Sequence, residues 1–175
     1  IEYGDELAFS GFYRAGLSDR LTGQAGLQAA DGVVSGLGGL TFATAIGVID
    51  FKGAVSATDE AGSGAAASLD FSSDGDAQDP ADRRFDFSVD WFSEDFASLD
   101  ARTSQAERFN IAARYAQRLP LGITGSAGLR HSDRRIGEDR ASANLTLNRR
   151  VGALNIGFTG ETAIEGDGED RAQIT

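Results

Sequence analysis

The chain has 175 residues, with 27 acidic against 16 basic side chains, a net charge of -11, no Cys, no Met and only 2 Pro. A surface of that sign repels phosphates and disfavours a nucleic-acid partner, and the missing thiols exclude a disulfide framework and any thiolate metal site. No apolar run approaches the roughly 18 residues of a membrane helix, which leaves room for a membrane barrel, whose strands need only about 9 to 11 alternating residues.

Side chains that alternate with a period of two stand on opposite faces of a pleated strand. Over 6–15, Leu7, Phe9, Tyr13 and Ala15 alternate with Glu6, Ser10 and Arg14, with Phe12 on the polar side. A tight turn is expected at 16–19, followed by Leu21, Ala25, Leu27 and Ala29 against Arg20, Thr22, Gln24 and Gln28. Asp31-Gly32 is a hairpin signal. The stretch 33–42 is apolar and glycine-rich without clean alternation, so its faces stay unassigned. Its Gly36-Leu37-Gly38-Gly39 lacks the helix start and the Lys-Ser/Thr of a phosphate loop, and reads as a thinned strand. After a turn near Thr44, Ile49, Phe51 and Val55 oppose Asp50, Lys52 and Ser56.

Residues 57–64 are polar and predict a loop, after which Ala65, Ala67, Leu69 and Phe71 oppose Ser68, Asp70 and Ser72. The acidic run 73–82 predicts a second loop, with Pro80 barred from a central strand. Its Asp74, Asp76, Asp79 and Asp82 have the oxygen-rich composition of a calcium loop. The spacing lacks the terminal Glu of an EF-hand, so the run reads as solvated charge. Phe85, Phe87, Val89 and Trp91 then face away from Arg84, Asp86, Ser88 and Asp90, and Trp91, Phe92 and Phe96 sit at a strand end, where aromatics mark a membrane interface. A long loop over 94–106 follows.

The clearest alternation runs from 108 to 164. Phe109, Ile111, Ala113, Tyr115 and Leu119 oppose Arg108, Asn110, Arg114 and Arg118, with Gln117 a polar intruder on the apolar side. Leu121, Ile123, Ala127 and Leu129 oppose Thr124, Ser126, Arg130 and Ser132. Beyond Gly137, Ala141, Ala143, Leu145 and Leu147 oppose Arg140, Ser142, Asn144, Thr146 and Asn148. Leu154, Ile156, Phe158 and Ile164 oppose Asn155, Thr159 and Glu161, and Ala172 and Ile174 begin a last strand after the loop at 165–170.

About eleven strands without a crossover helix predict an all-β, antiparallel up-and-down meander. Short connections tend to alternate with longer polar loops, as on the two rims of an outer-membrane barrel; the 73–82 loop and the Gly32 turn break the pattern. In a soluble sandwich the apolar face is built from large aliphatics that close-pack against a second sheet. Here it carries Leu, Ala, Phe and Gly, while the other face carries Arg, Asn, Thr, Ser, Gln and Asp, as in a water-filled lumen. The expected lumen-facing residues are Arg14, Arg84, Asp86, Arg108, Asn110, Arg114, Arg118, Arg130, Arg140, Asn144 and Asn148, with Arg150 on the same side. Those expected to face lipid or form the girdle are Phe85, Phe87, Trp91, Phe109, Tyr115, Leu145, Leu147 and Phe158. His131 is the one histidine, set on an apolar face near a loop, so neither a Ser-His-Asp triad nor a histidine metal cluster is available. An enzyme is not expected, nor a catalytic residue, metal site or cofactor. The lumen arginines either pair with neighbouring carboxylates or make weak contacts with a passing cargo.

The letters GLSDRLT at 16–22, preceded by Phe12-Tyr13-Arg14 and followed by GLQAADGVVSGLGG, resemble the outer-membrane ushers of the bacterial chaperone-usher pathway. FDFSVDWFSEDFASLD and the hairpins after Arg108, with RLPLG, are similar to later strands of that family. The hairpin aromatic of the family is absent at 31–34, and its serine-rich strands are alanine-rich here. The resemblance implies a wide transmembrane barrel in the bacterial outer membrane that exports and polymerises pilus subunits. On this reading 1–175 is a single barrel-wall segment, taken as an excerpt of a longer protein because it opens at Ile1 without a leader and stops at Thr175 in mid-strand. The plug and the periplasmic N- and C-terminal domains, which meet chaperone-subunit complexes, would lie outside it; the wall itself would meet membrane lipid. A diffusive porin or transporter, or a soluble β-sheet adhesin or binding module, are the alternative expectations.

Overall fold

A computed structural model describes residues 8–30, 32–59, 62–73, 82–97, 107–166 and 170–174. Eleven strands follow one another: β1 (Phe9–Ser18), β2 (Leu21–Ala30), β3 (Val33–Thr44), β4 (Gly47–Thr58), β5 (Gly62–Ser72), β6 (Arg84–Phe92), β7 (Glu107–Leu119), β8 (Ile123–Arg134), β9 (Arg140–Val151), β10 (Leu154–Glu165) and β11 (Arg171–Ile174). They form a single sheet in sequence order, every neighbour antiparallel, with β1 and β11 at its edges. The all-β meander expected from the alternation is therefore the observed architecture.

Where the ladder departs from the composition, backbone pairing decides. The turn expected at 16–19 narrows to 19–20, because Gly16 still pairs with Thr22 and a bulge carries the ladder on to Ser18 opposite Leu21. The loop expected over 57–64 shrinks to 59–61, since Ser56, Ala57 and Thr58 pair with Gly64, Ser63 and Gly62. Polar composition did not mark a loop there; it marked strand ends whose backbone groups still find partners across the ladder. The unassigned stretch in β3 takes its faces from β2: Leu27 opposite Gly36 and Leu21 opposite Phe42 set Val34, Gly36, Gly38, Leu40 and Phe42 on the apolar side.

On the first rim the connections are 19–20, 45–46, 73–83, 120–122 and 152–153; on the other they are 31–32, 59–61, 93–106, 135–139 and 166–170. The expected alternation in length holds from β7 onward and fails where 73–83 is long and 59–61 short. The turn after β7 is a single 3-10 turn, Pro120–Gly122. Pro120 cannot donate to the ladder, and the chain reverses through Leu121 and Gly122, both at positive φ (64° and 69°).

Among the described residues the sheet has no second layer. Among the described residues the buried apolar side chains are only Val33, Phe96 and Ala97, while large residues on the apolar face stand open, among them Trp91 at 43%, Tyr115 at 40% and Leu145 at 44% exposure. An uncovered apolar surface of this extent is a contact surface awaiting cover.

Candidate functional site

Residues directly opposite one another in an antiparallel ladder share a face, so the pairings extend the alternation across the sheet. One row reads Arg14, Gln24, Gly39, Lys52, Ser68, Asp90, Asn110, Ser132 and Arg140. Another reads Ser72, Asp86, Arg114, Gly128, Asn144 and Glu161. Arg84, Arg118, Arg130 and Asn148 fall on the same side, opposite Ala116, Thr124, Ala112 and Thr124 in turn. A groove of about 620 Å³ crosses this face from Asp70 on β5 to Glu161 on β10.

The intervening rows are apolar. Phe85, Tyr115, Ala127 and Leu145 form one, Phe87, Ala113, Leu129 and Ala143 another, Trp91 pairs with Phe109, and Leu147 pairs with Phe158. His131 lies in these rows between Ile111 and Ala141. Gln117 is here too, and its Oε1 accepts the Tyr115 hydroxyl at 3.0 Å, so the intruder's polar end is occupied within its own face.

Two sequence expectations shift. Arg108 leaves the polar rows: it is the extra residue of a bulge between Glu107 and Phe109, and its guanidinium lies 3.8 Å from Asp133, the residue opposite Phe109. Of the three rim aromatics only Trp91 belongs to the apolar face. Phe92 is one residue on and therefore turns to the polar side, where its ring packs at 5.9 Å from Phe96.

The segment after β6 was the feature sequence reasoning missed. Residues 93–97 fold onto the polar face: Ser93 N–H donates to Ala65 O at 2.8 Å, Ala65 N–H donates to Ser93 Oγ at 2.8 Å, and Ala97 N–H donates to Ser56 Oγ at 2.9 Å. Gly64 makes room, since a Cβ there would stand 2.1 Å from Phe96 N. Phe96 (8% exposed) and Ala97 (0%) are buried as a result. Arg135, across the rim, donates to the carbonyls of Glu107 and Phe92. The legible signal was a Gly opposite a Ser, Gly64 and Ser56, in the polar rows.

Charge is divided across the polar face. On β4 to β6 it is mostly acidic, and three of the acids have local partners: Lys52 sits 3.2 Å from Asp50 and 3.3 Å from Asp70, Thr41 donates to Asp50 at 3.2 Å, and Ser72 donates to Asp86 at 2.6 Å. Asp82 meets Arg84 at 3.3 Å and Arg118 at 3.9 Å; Asp74, Asp76 and Asp79 of the expected acidic loop lie outside the described residues. On β7 to β9 the charged side chains of the polar rows are mostly arginines, Arg114, Arg118, Arg130, Arg134, Arg140 and Arg150, with Glu107 directly opposite Arg134. Arg114 donates to Ser126 at 3.5 Å and Arg150 to the carbonyl of Gly152 at 3.3 Å. Among the described residues no group of three or more His, Asp or Glu is gathered as a metal would need.

No family model matches the chain, and no curated protein and no solved structure is similar to it.

Proposed function

We propose that this chain is a wall segment of a large transmembrane β-barrel in the bacterial outer membrane, one through which chaperone-delivered pilus subunits are exported and polymerised. The observation that carries the barrel part is the single-sheet meander with an uncovered apolar face on one side and a polar face on the other. In hydrocarbon every backbone donor and acceptor needs a partner within the protein, so a sheet can stay there only by closing on itself, and the two edges at β1 and β11 call for further strands. The strands from β1 to β10 have 9 to 13 residues, long enough to cross a bilayer at a tilt. Among the described residues no helix is long and apolar enough to cross one.

The usher assignment rests on the likeness of GLSDRLT and of the later hairpins to that family. The wall would supply width, a polar lining and rigidity, while polymerisation is driven by exchange of one β-strand for another at the periplasmic side, a form of β-strand addition. Fractionation and heat-modifiable migration of the protein from its native host, with counting of surface fibres after deletion of the gene, test both levels. Outer-membrane partitioning with loss of fibres is the expected result. Partitioning with fibres intact would leave a porin or transporter wall, and a freely soluble protein would end the barrel reading.

A further inference from the structure

Beyond β6 the chain does not leave the sheet at the rim. Ser93 still pairs with Ala65 of β5 through its backbone and its hydroxyl, both at 2.8 Å, and further on the N–H of Ala97 reaches Ser56 of β4 at 2.9 Å. In that short distance the chain crosses from β6 over β5 to β4 on the polar face, through a turn at Glu94 and Asp95 closed by Phe96 N–H on Ser93 O at 3.3 Å. The seat beneath it is fitted to a backbone. Gly64 has no side chain to hold it off, and Ser56, Phe96 and Ala97 are buried. Arg135, from the connection after β8, donates to the carbonyl of Phe92 at the foot of the segment. Glu94 and Asp95 are left exposed, on the side of the sheet where the polar rows of β4 to β6 already hold Asp50, Asp70, Asp86 and Asp90.

We propose that residues 93–97 are an inward strap that narrows the aqueous path along the polar face, and that Glu94 and Asp95 make this constriction favour cations. The inference rests on the pore reading above, and names what sets the bore and the charge selectivity of that pore. A chain seated on the wall takes section from the lumen. Charges carried on it act where the remaining section is least, with low-dielectric walls close by that focus the field. Charges elsewhere in a wide aqueous path are screened within about 8 to 10 Å, so position decides which of the many acids count. The strap is held by hydrogen bonds to buried groups, which are costly to leave unmade, and so it is a fixed part of the wall.

The test uses the complete protein in planar bilayers under a potassium chloride gradient. Gly64→Ala, which cannot seat the strap, is expected to raise single-channel conductance about twofold. E94Q/D95N keeps the seat and removes two charges, and is expected to move the reversal potential toward anions. E138Q/E165Q removes two exposed acids of the same rim that lie off the strap, and is expected to move it less. Folding of each variant is read from heat-modifiable migration, and release of the strap from protease cleavage near Phe96. Ser56→Ala carries the conductance measurement if Gly64→Ala does not fold. Unchanged conductance with the strap released, or equal reversal potentials in wild type, E94Q/D95N and E138Q/E165Q, would overturn the constriction while leaving the pore in place. Absence of any conductance in the wild type would overturn both.

Discussion

Ser56 of β4 accepts the backbone N–H of Ala97 at 2.9 Å, across 41 residues of chain, and so holds the segment after β6 down on the polar face. The contact is buried, with Ser56 at 5% and Ala97 at 0% exposure. Removing the acceptor leaves a buried amide without a partner, which costs about 1 to 3 kcal/mol. Ser56→Ala is therefore expected to release 93–97, read as faster hydrogen exchange at Ala97 and new protease cleavage near Phe96. Unchanged protection would show that the segment is held by something else.

Gly64 tests the same seat from the other side. A methyl group there would have to displace the backbone of Phe96, and a backbone cannot swing aside as a flexible side chain can. Gly64→Ala should lift the segment with little effect on the β4 to β5 ladder, giving the same cleavage pattern as Ser56→Ala. A combined variant should then add little, because both changes undo one contact.

Lys52 stands between Asp50 and Asp70, and Lys52→Met would leave the two carboxylates facing each other on paired strands. All three side chains are partly exposed, so the stability cost is about 1 kcal/mol or less and shrinks with salt. On the pore reading proposed above, the larger expected effect is on ion selectivity, moved toward cations. A reversal potential unchanged at low salt would show that this part of the face does not line the conducting path.

The two faces can be separated residue by residue on β9. The chain has no cysteine, so single cysteines at Asn144, Leu145, Thr146 and Leu147 report without background from this segment. In lipid, the first and third should react with a water-soluble maleimide and the second and fourth should not. Leu145→Arg should destabilise by about 2 to 4 kcal/mol if it lies near the bilayer midplane, measured by urea unfolding in vesicles, whereas Asn144→Arg should be tolerated. Equal labelling at all four positions would contradict a lipid-facing row.

Gly47 opens β4 at φ 147°, and a Cβ there would lie 2.3 Å from Ser72 O. Both the backbone angle and the space exclude a side chain, so Gly47→Ala should destabilise by about 1 to 3 kcal/mol, read as a lower urea midpoint. Gly152→Ala, which has positive φ but open space around it, should cost less.

Much of the fold was legible because alternation is a local property and, among the described residues, no second layer overrides it. Leu145 beside Asn144, or Phe87 beside Asp86, declares its face without knowledge of any neighbour. Where the alternation lapses, as in Gly36 to Gly39, the face of each residue came only from its partners on β2 and β4. The same holds at the bulge that took Arg108 out of the polar rows.

The amino-acid sequence by itself determined the strands, their order and the two unlike faces, since those follow from side-chain chemistry at a spacing of two. Only the tertiary structure decided which charges answer each other and which do not. Lys52 reaches Asp70 because register sets β4 against β5, whereas Arg134 Nε has no hydrogen-bond partner although register sets Glu107 opposite that residue. Register depends on hydrogen bonds between segments far apart in the chain, and so does the folding of 93–97 onto Ser56 and Gly64. No local pattern of residues contains that information.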